Sequence, residues 1–169
     1  MNKIVLATLC LIGCTGEADI GIDSQPVACN PDGTSTADMT GEVHYNGQTY
    51  HFDNATPSLV RDTSGAYTTV NLWNYEDPST QRGNTLRFFF ECGAAQLASY
   101  DVVGGGNQQV QCPLQVAGAV LGSIEILPAD TGTLIVDQTQ GCLAGRFHVE
   151  FDNSAGDGEL NGWFSIFTQ

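Results

Sequence analysis

Three histidines, a run of strand-borne carboxylates and six cysteines are the residues of this 169-residue chain that could do chemistry. Glu42, His44 and His51 flank an Asn46-Gly47 pair. In a two-residue hairpin turn centred on Asn-Gly, Glu42 falls opposite His51 and His44 lies diagonal to both, within reach of one metal ion with three ligands. A solvated strand face with a Glu–His contact has the same pattern. That is the expectation here, because polar side chains are the ordinary occupants of an outer sheet face, and no metal or cofactor is expected. A second constellation sits near the C-terminus, where Arg146, His148, Trp163 and Phe167 share one face of a predicted hairpin. Aromatic rings beside hydrogen-bonding groups suit a glycan or protein ligand, and they also suit a plain cross-strand ladder. Catalytic signatures are missing. The chain contains neither G-x-S-x-G nor H-E-x-x-H, and Gly104-Gly105-Gly106 precedes no helix whose N-terminus would hold a phosphate. The expectation is a protein that is not an enzyme.

The N-terminus speaks to location. Met1-Asn2-Lys3 supplies a positive charge and Ile4 to Ile12 an apolar run too short to span a bilayer as a helix, which is the form of a processing signal. The run ends in Leu11-Ile12-Gly13-Cys14, which resembles the lipobox of bacterial lipoproteins. The resemblance implies a signal peptide over residues 1–13, acylation of Cys14, and a mature chain that begins there and holds to a lipid bilayer through that acyl group. Thr15 follows in place of Asp, which by the same resemblance implies sorting to the outer membrane or cell surface.

Cysteine count agrees with an exported protein. With Cys10 inside the signal and Cys14 lipidated, four cysteines remain, Cys29, Cys92, Cys112 and Cys142, and none forms the C-x-x-C pair that zinc sites use. Two disulfides are expected outside the cytoplasm. Of three connectivities we favour Cys92–Cys112, closing a hairpin-like excursion, with Cys29–Cys142 pinning the N-terminal segment to the body. Charge narrows the partners: 5 Lys and Arg stand against 19 Asp and Glu, and losing Lys3 takes the net charge from −14 to −15. Such a surface disfavours nucleic acid, whose binding needs cations to displace counterions.

Residues 14–40 are mostly small, polar or acidic and predict a flexible tether with a root-mean-square span of about 28 Å. Within it Asn30-Pro31-Asp32-Gly33 begins like a calcium loop but lacks the later ligands, so a solvated turn is expected. Residues 41–169 read as one domain of short strands bounded by Gly, Asn, Asp and Pro. In the first hairpin, Tyr45 pairs with Gln48 and Val43 with Tyr50, placing Val43, Tyr45, Tyr50 and Phe52 on one face. Further strands are expected at residues 66–74, 84–92, 97–103, 109–116, 123–127 and 133–137. In the last hairpin Leu143, Phe147, Val149 and Phe151 alternate with Arg146, His148, Glu150 and Asp152. A turn at 153–158 would set Phe147 opposite Phe164, Phe151 opposite Leu160, Gly145 beside Ile166, His148 opposite Trp163 and Glu150 opposite Asn161. Gly145-Arg146-Phe147 followed by Asn161-Gly162-Trp163-Phe164 resembles the closing hairpin of uncharacterised bacterial surface lipoproteins with β-sandwich bodies. The predicted architecture is all-β, an antiparallel two-sheet β-sandwich of about ten short strands behind a signal peptide and tether. The predicted role is a non-enzymatic envelope lipoprotein, or else a carbohydrate- or protein-binding module using the Trp163 face, with a hydrolase a distant third.

Overall fold

The structure, a computed structural model, describes residues 22, 25–61, 68–77, 82–90, 95–103, 114–117, 127–154 and 156–168. The expected signal peptide over residues 1–13, Cys14, Gly104 to Gly106, Cys92, Cys112 and residues 123–126 lie outside them. Among the described residues there is no helix, and ten strands follow in chain order. They are β1 (Thr36–Tyr45), β2 (Gln48–Phe52), β3 (Thr56–Arg61), β4 (Thr68–Asp77), β5 (Arg82–Phe90), β6 (Ala98–Val103), β7 (Leu114–Ala117), β8 (Thr131–Gln138), β9 (Cys142–Asn153) and β10 (Gly156–Phe167).

The strands make the expected two-sheet β-sandwich. One sheet has the order β2-β1-β10-β9-β8-β6, and the facing sheet runs β5-β4-β3. β7 turns the corner between them, antiparallel to β5 and parallel to the end of β6 over two residue pairs. On the other side an Ala37–Ala55 bridge ties β1 to the approach of β3, and Asn74 Nδ2 donates to the His51 carbonyl at 2.8 Å. The core lies where period-2 alternation puts it: Met39, Val43, Leu134, Phe147, Val149, Phe151, Leu160 and Phe164 from the first sheet meet Val70, Leu72, Leu86, Phe88 and Phe90 from the second.

The first hairpin has the predicted register. Tyr45 pairs with Gln48, Val43 with Tyr50 and Glu42 with His51. Asn46 and Gly47 take φ of 50° and 74°, the doubly positive conformation that a type I′ turn needs and that Asn-Gly tolerates best.

The last hairpin keeps the predicted faces but slides by two residues. Phe147 faces Gly162, Val149 faces Leu160, Phe151 faces Gly158 and Phe164 faces Gly145, while Leu143 pairs with Ile166. On the outer face His148 opposes Asn161, Glu150 opposes Glu159 and Arg146 opposes Trp163. Alternation alone cannot detect this slide, since a shift of two leaves every side chain on its face. Two physical terms select it. Asn153 pairs with Gly156, leaving the two-residue connection that hairpins favour. The shift also sets large rings over residues without side chains: a Cβ on Gly162 would lie 2.8 Å from the Phe147 ring, and one on Gly145 3.1 Å from the Phe164 ring. Phe88 from the facing sheet then fills the space between, 4.9 Å from Phe147 and 6.3 Å from Phe164 by ring centroids.

The body also begins upstream of the expected boundary at residue 41. β1 starts at Thr36, with Met39 fully buried. Before it, residues 25–35 run as a strap over the outer surface of the first sheet. The Val27 N–H donates to Asp137 at 3.0 Å and the Cys29 N–H to Gln138 at 3.3 Å, and the Phe167 N–H donates to Ser35 Oγ at 3.0 Å. The expected Cys29–Cys142 disulfide locks the strap to the head of β9. Asn30-Pro31-Asp32-Gly33 is the expected turn: the Gly33 N–H donates to the Asn30 carbonyl at 3.0 Å. The Thr34 hydroxyl and N–H both donate to Asp32, which holds its carboxyl below the ordinary value.

Candidate functional site

Every histidine of the chain projects from the outer face of the first sheet, because β1, β2 and β9 carry them at the polar positions of their alternation. Glu42 serves two of them, with His44 Nε2 3.1 Å from one oxygen and His51 Nδ1 3.0 Å from the other. Among the described residues no group of three His, Cys, Asp or Glu is arranged to hold a metal ion. The Glu–His contacts are those of a solvated strand face. His44 Nδ1 also meets Thr49 Oγ1 at 2.9 Å, so Thr49, His44 and Glu42 stand in the order of a hydroxyl–base–acid relay. Half the His44 and Glu42 side-chain surface is open to water, where charge interactions are weak.

One row of this face carries like charges side by side. Glu42, Glu159 and Glu150 lie directly opposite one another across β1, β10 and β9. Opposed like charges in a sheet destabilise it by a few tenths to about 1 kcal/mol per pair. Glu159→Gln is therefore expected to raise the unfolding free energy by about 0.5 kcal/mol at low salt, with the gain vanishing near 1 M salt, where the screening length is about 3 Å. Denaturant titrations at the two ionic strengths check this, and a salt-independent change would exclude electrostatic relief.

The second predicted constellation separates into three parts. Arg146 is tied to Asp137, with Nε 3.2 Å from Oδ2 and side-chain exposures of 14% and 6%. His148, whose side chain is only 12% exposed, is clamped between Asn161 Oδ1 at 2.7 Å and Glu150 Oε1 at 3.1 Å. Phe167 sits beside the strap, its ring 3.7 Å from where a Gly33 Cβ would stand, but stays 45% exposed and lies about 13 Å along β10 from Trp163. Trp163 is half-buried and borders a cleft on its other side, toward β1. The cleft holds about 180 Å³ and is lined by Asp38, Met39, Thr40, Phe147, Asn161, Gly162 and Trp163.

Asp38, Thr40 and Asn161 were not among the predicted site residues. The first two were assigned to the tether. The signal for them was present in the alternation itself: Ala37, Met39, Gly41 and Val43 interleave with Asp38, Thr40, Glu42 and His44, which extends the first strand upstream by a turn's worth of residues. No protein-family model, curated protein or solved structure matches the chain.

Proposed function

We propose that the protein is a non-enzymatic lipoprotein of the bacterial outer membrane or cell surface, acylated at Cys14 and displaying a disulfide-stapled β-sandwich. The observation that carries this reading is the Cys29–Cys142 disulfide. Protein disulfides persist outside the reducing cytoplasm, and this one fastens the body fifteen residues after the cysteine of the lipobox-like segment. The histidines are spent on surface contacts: His148 is held by Asn161 and Glu150, and the Thr49–His44–Glu42 contacts are open to water. Cys14→Ser is expected to abolish acylation, shifting the protein out of the membrane fraction or leaving it unprocessed. Intact-mass measurement and fractionation check this. Wild-type protein without an acyl mass increment, or a variant that is processed and still fractionates with membranes, would overturn the lipoprotein reading.

A second reading is favoured by one observation, the cleft beside Trp163. On that reading the displayed sandwich is a binding module, and the face presenting Trp163 receives a glycan or a protein.

A further inference from the structure

We infer that the Trp163 cleft is a subsite for a single uncharged pyranose ring of a glycan. This rests on the binding-module reading. The cleft's volume, about 180 Å³, falls below the range of pockets that enclose drug-sized molecules and suits one ring-sized group.

Its polar groups are unspent and held in place. The Trp163 indole N–H and the Thr40 hydroxyl have no hydrogen-bond partner among the described residues. Asp38 Oδ1 accepts the Met39 N–H at 2.9 Å, which fixes the carboxylate and leaves Oδ2 as an acceptor for the cleft. Asn161 is fixed in the same way, since one end of its amide meets His148 Nδ1 at 2.7 Å and His148 is braced by Glu150 at 3.1 Å. The other end of the amide is left for a ligand. A pyranose matches this set because it has an apolar C–H face for an aromatic ring and a rim of hydroxyls that both donate and accept. All four side chains stand on β1 and β10, so little ordering cost attaches to binding.

Charge and topology exclude the competing chemistries. Among the described residues no cationic side chain lines the cleft, and Asp38 sits in its wall, so carboxylated, sulfated or phosphorylated sugars would meet a negative charge. An extended peptide binds a sandwich most readily by adding a strand at a free edge. Around the cleft β1 pairs with β10 and β10 with β9, and the far edge of β1 is bridged at Ala37 and laddered to β2 from Gly41, so only Asp38 to Thr40 offer a peptide an open edge.

The test uses the full-length lipidated protein in detergent micelles on an array of neutral oligosaccharides of glucose, galactose, mannose and N-acetylglucosamine. Sialylated and sulfated glycans and a random peptide library serve as counter-sets. Neutral glycans are expected to be retained, with single-ring affinity near a Kd of about 1 mM. Trp163→Ala should weaken binding by about tenfold or more, and Asp38→Asn and Thr40→Val, which leave the aromatic wall intact, by several-fold. Unfolding midpoints of the three variants separate lost binding from lost fold. Binding that prefers acidic sugars, or that survives Trp163→Ala in a folded variant, would overturn the inference. Retention of peptides alone, lost on Trp163→Ala, would refute the sugar assignment and leave the binding-module reading standing. Retention of neither class would refute both.

Discussion

A variant lacking both partners of the strap, Cys29→Ala with Cys142→Ala, is expected to lose about 4–5 kcal/mol of unfolding free energy. The bridge joins residues separated by 113 positions. In the chain-entropy treatment a loop of that order removes about 4.7 kcal/mol of freedom from the unfolded ensemble, near the upper end of what native disulfides contribute. Two consequences in the folded state add to it. Cys142 is 1% exposed beside the buried Ser165, whose hydroxyl lies 3.7 Å from its sulfur, so alanine there leaves a small void. The strap would then rest on the hydrogen bonds of Val27 to Asp137, Cys29 to Gln138 and Phe167 to Ser35, each worth about 1 kcal/mol. Urea titration of the two proteins measures the difference. A loss below about 1 kcal/mol would mean that those backbone contacts already hold the strap without covalent help.

Phe147→Ala should cost about 3–5 kcal/mol, as buried Phe truncations do elsewhere, a large share of the total stability of one domain. Phe147 is fully buried, meets the Phe88 ring at a tilt of 58° with centroids 4.9 Å apart and roofs Gly162, so its removal opens a hole between the sheets. Its chain neighbour provides the contrast. A solvent-facing His148 would be nearly dispensable, but the 12% exposure of its side chain and its two hydrogen bonds raise the expected cost of His148→Ala to about 1–2 kcal/mol. The ranking of the two variants in thermal unfolding tests which face of β9 each residue takes. Equal costs would mean that Phe147 does not carry the packing between the sheets.

The faces of the hairpins were legible in the residues because alternation is a local property. Val43, Phe88, Phe147 and Phe164 are buried as their neighbours demand. The first register was legible too, since Asn46-Gly47 specifies both the turn and its length. The second was not: nothing in Asn153 to Gly158 favours one loop length as strongly. What decides it is the fit of Phe147 over Gly162 and the intrusion of Phe88 from a strand far away in the chain. The cleft was missed for a related reason. Half of it comes from the first residues of β1, where Asp38 and Thr40 sit in a stretch so poor in large apolar side chains that composition outweighed alternation. Arg146 and His148 were recognised as outward-facing, but ion pairing and hydrogen bonding to Asp137, Asn161 and Glu150 depend on register and could only be seen once the strands were aligned.

The strap also determines how the molecule bears mechanical load. A protein held by one end is pulled on whenever its surroundings move. Without the Cys29–Cys142 bond, tension from the N-terminal side would arrive at Thr36 and pull β1 away from β10 starting at its first residue. With the bond in place the tension leaves the main chain at Cys29 and enters Cys142, at the head of a twelve-residue strand flanked by β8 and β10. There it meets a strand hydrogen-bonded on both sides, so two ladders and not one must yield before that strand leaves the sheet. β1, and with it the Asp38–Thr40 wall of the cleft, then lies off the path by which a pull on the N-terminal side enters the sheet.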